Sequence, residues 1–199
     1  MRLFLPVKDC MGRGLSRKKT LIAFAVLFLL GVILGIVFLK TPAVYDYHLA
    51  RCNKYLERVL YSDRNVFLIF FERTIGHTFV LAVLVIAGIH PAALAITPFV
   101  FAYRAYTFGG SMGIFISTFR LSGALVIFPF YLPVHLMIDA IFLLAAAVSF
   151  ARASDFCFNK NSWKELACDF LIFFIFIVLI CLLEMILLVI FFHPIGNIL

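Results

Sequence analysis

Charged residues are unevenly distributed along the chain, and long gaps between them dominate the pattern of polar and apolar positions. No Asp, Glu, Lys or Arg occurs from Leu21 to Leu39 or from Thr74 to Tyr103. Shorter gaps cover 105–119, 121–138 and 140–151, and the last gap runs from 170 to the C-terminus with Glu184 inside it. A helix needs about 20 apolar residues to cross a hydrocarbon core of about 30 Å. The gaps therefore predict transmembrane helices.

The simplest division gives five spans. They are predicted at about 20–39, 66–89, 92–118, 122–151 and 169–192. Pro91 separates the second from the third, because proline disfavours helical geometry in the residue before it. The fourth span is too long for one straight crossing and contains Pro129 and Pro133, so we expect a kink or two half-helices there. Six spans, with 105–119 and 121–132 treated separately, are the alternative.

Composition agrees with this pattern. The chain is 65% hydrophobic and 14% charged, with a mean hydropathy of +1.13. Soluble domains are about 45–50% apolar and about 25% charged, which excludes that class, and disordered chains are still more polar. The predicted fold class is an all-α polytopic membrane protein.

The basic N-terminal segment indicates the orientation. Residues 1–19 are rich in Lys and Arg and contain one acid, Asp9, so the positive-inside rule places this arm in the cytoplasm. The apolar run that follows is longer than a signal peptide core, and we interpret 20–39 as a retained anchor. The domain organisation is then a cytoplasmic arm (1–19), an anchor (20–39), an external linker (40–65) and a helical bundle (66–199).

The net charge of +7 does not indicate a nucleic-acid partner, because much of it lies in the arm beside the bilayer. The linker contains a single cysteine, Cys52, so it offers no disulfide within the chain. His48 lies one helical turn before Cys52, but two ligands are too few for a metal site, and we expect an exposed helix face instead. Residues 48–64 predict a charged amphipathic helix. No cofactor is expected.

A few polar residues fall deep inside the predicted spans. Arg104, Asp139 and His77 each lie about 18 Å from the inner end of their span, near mid-membrane, and Glu184 lies slightly further. His135 shares a helix face with Asp139. An unpaired charge at this depth costs at least about 2.5 kcal/mol, so we expect an Arg104–Asp139 pair with the other three nearby. The cluster either fixes helix register or lines a substrate or proton path.

Two stripes of small residues suggest close helix packing. Such residues let helix backbones approach each other, within the chain, in a partner or in a homo-oligomer. They are Gly31 and Gly35 in the first span, and Ala105, Gly109, Gly113 and Ser117 in the third.

No Ser-His-Asp, HExxH, Cys-x-x-Cys or phosphate-binding glycine motif is present in the sequence, which predicts a protein that is not an enzyme. Glu72 and Arg73 lie near the outer end of the second span, and we interpret them as interfacial residues. An intramembrane enzyme is therefore the least favoured function.

Part of the bundle carries a family pattern. A basic residue, a glycine-rich helix, a further glycine and a Leu-Pro dipeptide follow one another as Arg104, Gly109, Gly113, Gly123 and Leu132-Pro133. This arrangement resembles the stage II sporulation protein M family of bacterial membrane proteins. The similar length, basic N-terminus and external linker extend the resemblance over most of the chain. After Leu-Pro the family often has Gln-Asn, whereas this chain has Val134-His135.

The resemblance implies a scaffold in the bacterial cytoplasmic membrane. Members of that family recruit and localise peptidoglycan-remodelling enzymes during forespore engulfment in sporulation, so the expected partners are cell-wall hydrolases or membrane proteins, besides lipid. The residues themselves leave another function open. A small transporter or permease component would use the Arg104, Asp139, His135, His77 and Glu184 cluster.

Overall fold

The computed structural model describes residues 18–60, 66–90, 92–126, 131–154 and 162–191. Within these ranges all regular structure is helical. The six long helices are α1 (Lys18–Val37), α2 (Pro42–Leu60), α3 (Val66–Ala87), α4 (Ala93–Val126), α5 (Leu132–Ser154) and α6 (Ser162–Phe191). A 3-10 turn, Phe38–Lys40, extends α1. The prediction of an all-α fold is confirmed.

In the part of the chain that the structure describes, four helical segments are long and apolar enough to cross a membrane: Lys18–Lys40, Phe67–Ala87, Leu132–Ala153 and Lys164–Leu187. They come from α1, α3, α5 and α6. The 34-residue α4 is also long enough, but Arg104 and its glycine, serine, threonine and tyrosine residues make it less apolar. The membrane class therefore stands, with four spans identified by length and composition.

Large apolar side chains on the outside of the bundle fit a lipid environment. Phe79 is 70% exposed, Phe99 is 73% exposed and Ile75 is 67% exposed. Contiguous apolar surface of this kind is rare on soluble monomers, whereas lipid solvates it without penalty.

The glycine stripes bring α1 and α4 into direct contact. A Cβ atom added to Gly31 would lie 2.6 Å from the Ala105 Cβ, and one added to Gly35 would collide with the Tyr106 carbonyl oxygen. One turn further along, Gly113 receives the Leu39 side chain. Residue numbers rise together along this interface, so α1 and α4 are parallel. The packing partner of the stripe is therefore a helix of the same chain.

The other long helices alternate in direction. Arg104 of α4 meets Asp139 of α5, whereas Phe108 meets the earlier His135, so α4 and α5 are antiparallel. Ion pairs also join α3 to α6 and α5 to α6. His77 packs against Phe142, and Gly88, just after α3, packs against Ser149. Residue numbers rise together in these two contacts, so α3 and α5 are parallel. The buried core between these helices is apolar and includes Leu81, Phe101, Ile138, Phe142 and Ile177.

The connection between α1 and α3 contains α2, which lies against α4. The Tyr45 hydroxyl is 3.0 Å from the Thr118 hydroxyl, and the Cys52 thiol lies 3.7 Å from the Ser111 carbonyl oxygen. The sequence predicted that His48 and Cys52 lie on an exposed face, which is wrong. They are 0% and 2% exposed, because Gly110 leaves room for the His48 ring against α4.

The helix boundaries differ from the predicted spans between α4 and α5. Helix α4 continues past the expected end at 118, through Arg120, to Val126, and α5 begins at Leu132. Pro133 therefore lies in the first turn of α5, where a proline needs no N–H bond. Pro91 and Pro129 lie outside the described residues. Pro98 lies inside α4, a position that our sequence interpretation did not mark.

Replacement of Gly35 by alanine should destabilise the protein by about 1–3 kcal/mol, because the added methyl group meets the α4 backbone. Gly76→Ala is the matched control, since nothing lies within 4 Å of its added Cβ. That control should be neutral or stabilising by up to about 1 kcal/mol. Unfolding in detergent, followed by circular dichroism, measures both. Equal stabilities of the two variants would contradict the α1–α4 packing.

Candidate functional site

A cavity of about 340 Å³ opens between α2, α3, α4 and the beginning of α5. Its wall is unusually polar for a membrane bundle, with charged, histidine, tyrosine and serine side chains beside apolar ones. The polar lining residues include Arg51, Lys54, Tyr55, Glu72, Arg73, His77, Arg104, Ser111, Tyr131 and His135. Three of the five residues in the predicted intramembrane cluster, His77, Arg104 and His135, therefore border one space.

Arg104 on the cavity wall forms an ion pair with Asp139 of α5. The Arg104 Nε donates a hydrogen bond of 2.6 Å to Asp139 Oδ1, and the Asp139 side chain is 4% exposed. The guanidinium carbon also lies 4.1 Å from the centre of the Phe142 ring. The pair and the aromatic face together compensate the charge of Arg104 in a low-dielectric surrounding. The structure thus places the two residues together as expected from their matched depth.

A second ion pair joins α3 to α6 through Arg73 and Glu184, 3.2 Å apart. The Arg73 guanidinium also lies 4.9 Å from the centre of the Tyr55 ring on α2. The sequence predicts an interfacial position for Arg73 and no specific partner for Glu184. The sequence nevertheless contains a signal for this pair, because Arg73 and Glu184 both lie about 11 Å from the outer ends of their predicted spans. Depths counted only from the inner ends do not reveal this match.

Each buried acid uses one carboxylate oxygen for its arginine. The other oxygens, Asp139 Oδ2 and Glu184 Oε2, are buried and have no hydrogen-bond partner in the part of the chain that the structure describes. Neither acid lines the cavity, whereas both arginines do. The arginines therefore face the cavity with their neutralising acids behind them.

The two histidines of the cluster have different environments. His135 Nδ1 is 2.9 Å from the Tyr131 carbonyl oxygen, and its ring stacks on Tyr131 with centroids 3.9 Å apart. Because a carbonyl can only accept, Nδ1 carries the proton, and Nε2 of the neutral ring is an acceptor. His77 is 9% exposed, and its Nε2 has no hydrogen-bond partner among the described residues.

Helix α2 covers the site and contributes groups outside the spans. Burial raises the pKa of the Cys52 thiol to about 11, so this residue is protonated at neutral pH and is not an activated nucleophile. Burial, reinforced by the charge of Arg51, lowers the pKa of His48. Among the described residues no group of three or more His, Cys, Asp or Glu side chains is arranged to hold a metal ion.

No protein-family model, curated protein or solved structure matches the chain. The resemblance to the stage II sporulation protein M family therefore stays a prediction from sequence.

The Arg104–Asp139 pair predicts strong energetic coupling. Arg104→Gln and Asp139→Asn should each cost about 3–5 kcal/mol of stability, because each leaves the other charge buried without its partner. The double variant should lose much less than the sum of the two. Unfolding free energies in a double-mutant cycle measure this coupling.

The control for this cycle pairs Asp139→Asn with Lys164→Gln, a change to an exposed cation near the start of α6. These two effects should add to within about 0.5 kcal/mol. Strictly additive losses for Arg104 and Asp139 would contradict the pairing.

The Cys52 thiol should resist alkylation at neutral pH. In a variant with Cys10, Cys157, Cys168 and Cys181 replaced by alanine, a maleimide should react slowly with the folded protein, and the rate should rise about tenfold per pH unit up to about pH 11. The same variant unfolded in SDS should react faster and level off at a lower pH. Mass spectrometry of timed samples measures both rates. Equal rates in the folded and unfolded states would contradict the buried position of Cys52.

Proposed function

We propose that this protein is a five-span component of the bacterial cytoplasmic membrane that binds a small polar solute in its cavity, as a transporter or a permease component does. The observation that carries the proposal is the position of His77, Arg104 and His135 on the wall of one cavity. Charged and histidine residues inside a membrane bundle commonly mark substrate or proton pathways when they border a water-filled space.

The proposed topology has α4 as the fifth crossing helix and a cytoplasmic N-terminus. Helix α4 runs parallel to α1, as it must if α3 returns across the membrane between them. The basic N-terminal arm supports the cytoplasmic start. In this topology α2 lies on the outer side, and the cavity beneath it opens toward the outside.

We favour solute binding over a scaffold because the glycine stripe of α4 packs against α1. A scaffold would use an exposed Gly109 and Gly113 face to receive a partner helix. In this chain Val32 covers Gly109, and Leu39 covers Gly113. The Gly109 and Gly113 face is therefore occupied by α1 and its extension, although recruitment of cell-wall hydrolases stays the expectation from the family resemblance.

Cysteine accessibility tests whether the cavity is wet. In a cysteine-free background, Gly76→Cys places a thiol at the cavity wall in the middle of α3, where nothing lies within 4 Å of the added Cβ. Ile75→Cys is the matched control, because Ile75 lies at nearly the same depth as Gly76 and its side chain is 67% exposed on the outer surface of the bundle. A membrane-impermeant thiol reagent, added to intact cells, should label the Gly76 variant and not the Ile75 variant, since thiols ionise in water and not in lipid.

Inverted membrane vesicles extend this test to transport. A transporter exposes its site to each side in turn, so the Gly76→Cys variant should also be labelled from the cytoplasmic face, more slowly than from outside. Labelling no faster than that of Ile75→Cys would contradict a water-accessible cavity. Labelling from one side under every condition would contradict transport.

A further inference from the structure

We infer that the cavity is selective for an oxyanion, a phosphate or carboxylate group. The inference rests on the proposed function and names its substrate class. Four cationic side chains line the cavity, Arg51, Lys54, Arg73 and Arg104, against one lining acid, Glu72, among the described residues. A solute that enters this space therefore meets mainly hydrogen-bond donors with positive charge.

The arrangement of the ion pairs places arginine donors, and not their carboxylate partners, on the cavity wall. Asp139 and Glu184 neutralise Arg104 and Arg73 but do not line the cavity, so they do not present their charge to a solute directly. The ion pairs use Nε of Arg104 and one Nη of Arg73. Because a guanidinium has five N–H donors in a planar fork that matches oxyanions, each arginine retains donors beyond its ion pair.

The uncharged lining adds groups that suit a protonated oxyanion. The tyrosine hydroxyls of Tyr55 and Tyr131 and the serine hydroxyl of Ser111 can donate to anionic oxygens. His135 Nε2 is an acceptor, because Nδ1 donates to the Tyr131 carbonyl, and it can receive the O–H of a hydrogen phosphate. His77 Nε2 is a buried ring nitrogen with no hydrogen-bond partner among the described residues.

The cavity lies within a medium of low dielectric constant, where charge interactions are stronger than in bulk water. The volume of about 340 Å³ fits a small solute or a lipid headgroup. A phosphate group could therefore come from a free solute or from a phospholipid at the outer surface, and the experiment has to separate these two sources.

The test uses the full-length protein in phosphatidylcholine nanodiscs with inorganic phosphate as the probe. Calorimetric titration should detect binding of phosphate and no binding of tetramethylammonium or glucose. Arg51→Gln and Lys54→Gln should each weaken phosphate binding about tenfold, the loss expected for one charge-assisted hydrogen bond. Lys164→Gln removes an equal charge outside the cavity and should leave the affinity unchanged. Thermal unfolding of each variant verifies that it folds.

Two further arms identify the source of the phosphate group and separate this inference from the proposed function. If a lipid headgroup is the ligand, nanodiscs that contain phosphatidylglycerol should suppress phosphate binding. If a free solute is the ligand, phosphate binding should stay intact in these nanodiscs. Either result supports an anion site. Phosphate should also protect Gly76→Cys from labelling. If the Gly76→Cys variant is labelled, but phosphate and acetate neither bind to it nor protect it from labelling, the anion selectivity is wrong and the proposed function still stands. A Gly76→Cys variant that is not labelled at all would overturn the proposed function.

Discussion

The pairing of buried charges is the constraint on which the rest of this structure depends. An isolated guanidinium or carboxylate inside a bilayer costs several kcal/mol, so each such group must find a partner of opposite charge. Arg104 meets Asp139 between α4 and α5, and Arg73 meets Glu184 between α3 and α6. These two ion pairs fix the relative height of four helices. Apolar packing alone would discriminate weakly between neighbouring registers, because lipid solvates leucine and phenylalanine as well as another helix does.

The close packing of α1 against α4 provides the second constraint. It makes two helices parallel that are separated along the chain by α2 and α3, and it leaves α2 to pass over the C-terminal half of α4. Helix α2 then places Arg51 and Tyr55 on the cavity wall opposite α3. A connection that looks like a surface linker in the sequence is therefore part of the site. Without the contact between Gly110 and the His48 ring, α2 could not lie so close to α4.

The sequence predicts part of this arrangement and misses part for identifiable reasons. The gaps between charges locate the long helices, because a charged side chain has an unfavourable desolvation free energy at every position of a membrane-spanning helix. The matched depths of Arg104 and Asp139 predict their contact for the same reason. The depths of Arg73 and Glu184 match only from the outer ends of their predicted spans, so depths from the inner ends do not predict this contact. The burial of His48 and Cys52, and the end of α4 at Val126, depend on contacts between helices that no local pattern records.

The two interpretations of the intramembrane cluster, helix register and solute path, are compatible in this geometry. Arg104 and Arg73 each have an acidic partner within the bundle, so neither depends on a solute to compensate its charge. The same pairing reduces the net attraction for an anion, because each acid offsets much of the field of its arginine. Under the proposed function, a solute would bind to such a site with moderate affinity and would leave no unpaired charge behind on release. Moderate affinity of this kind suits a transporter, which has to release what it binds, better than it suits a permanent storage site.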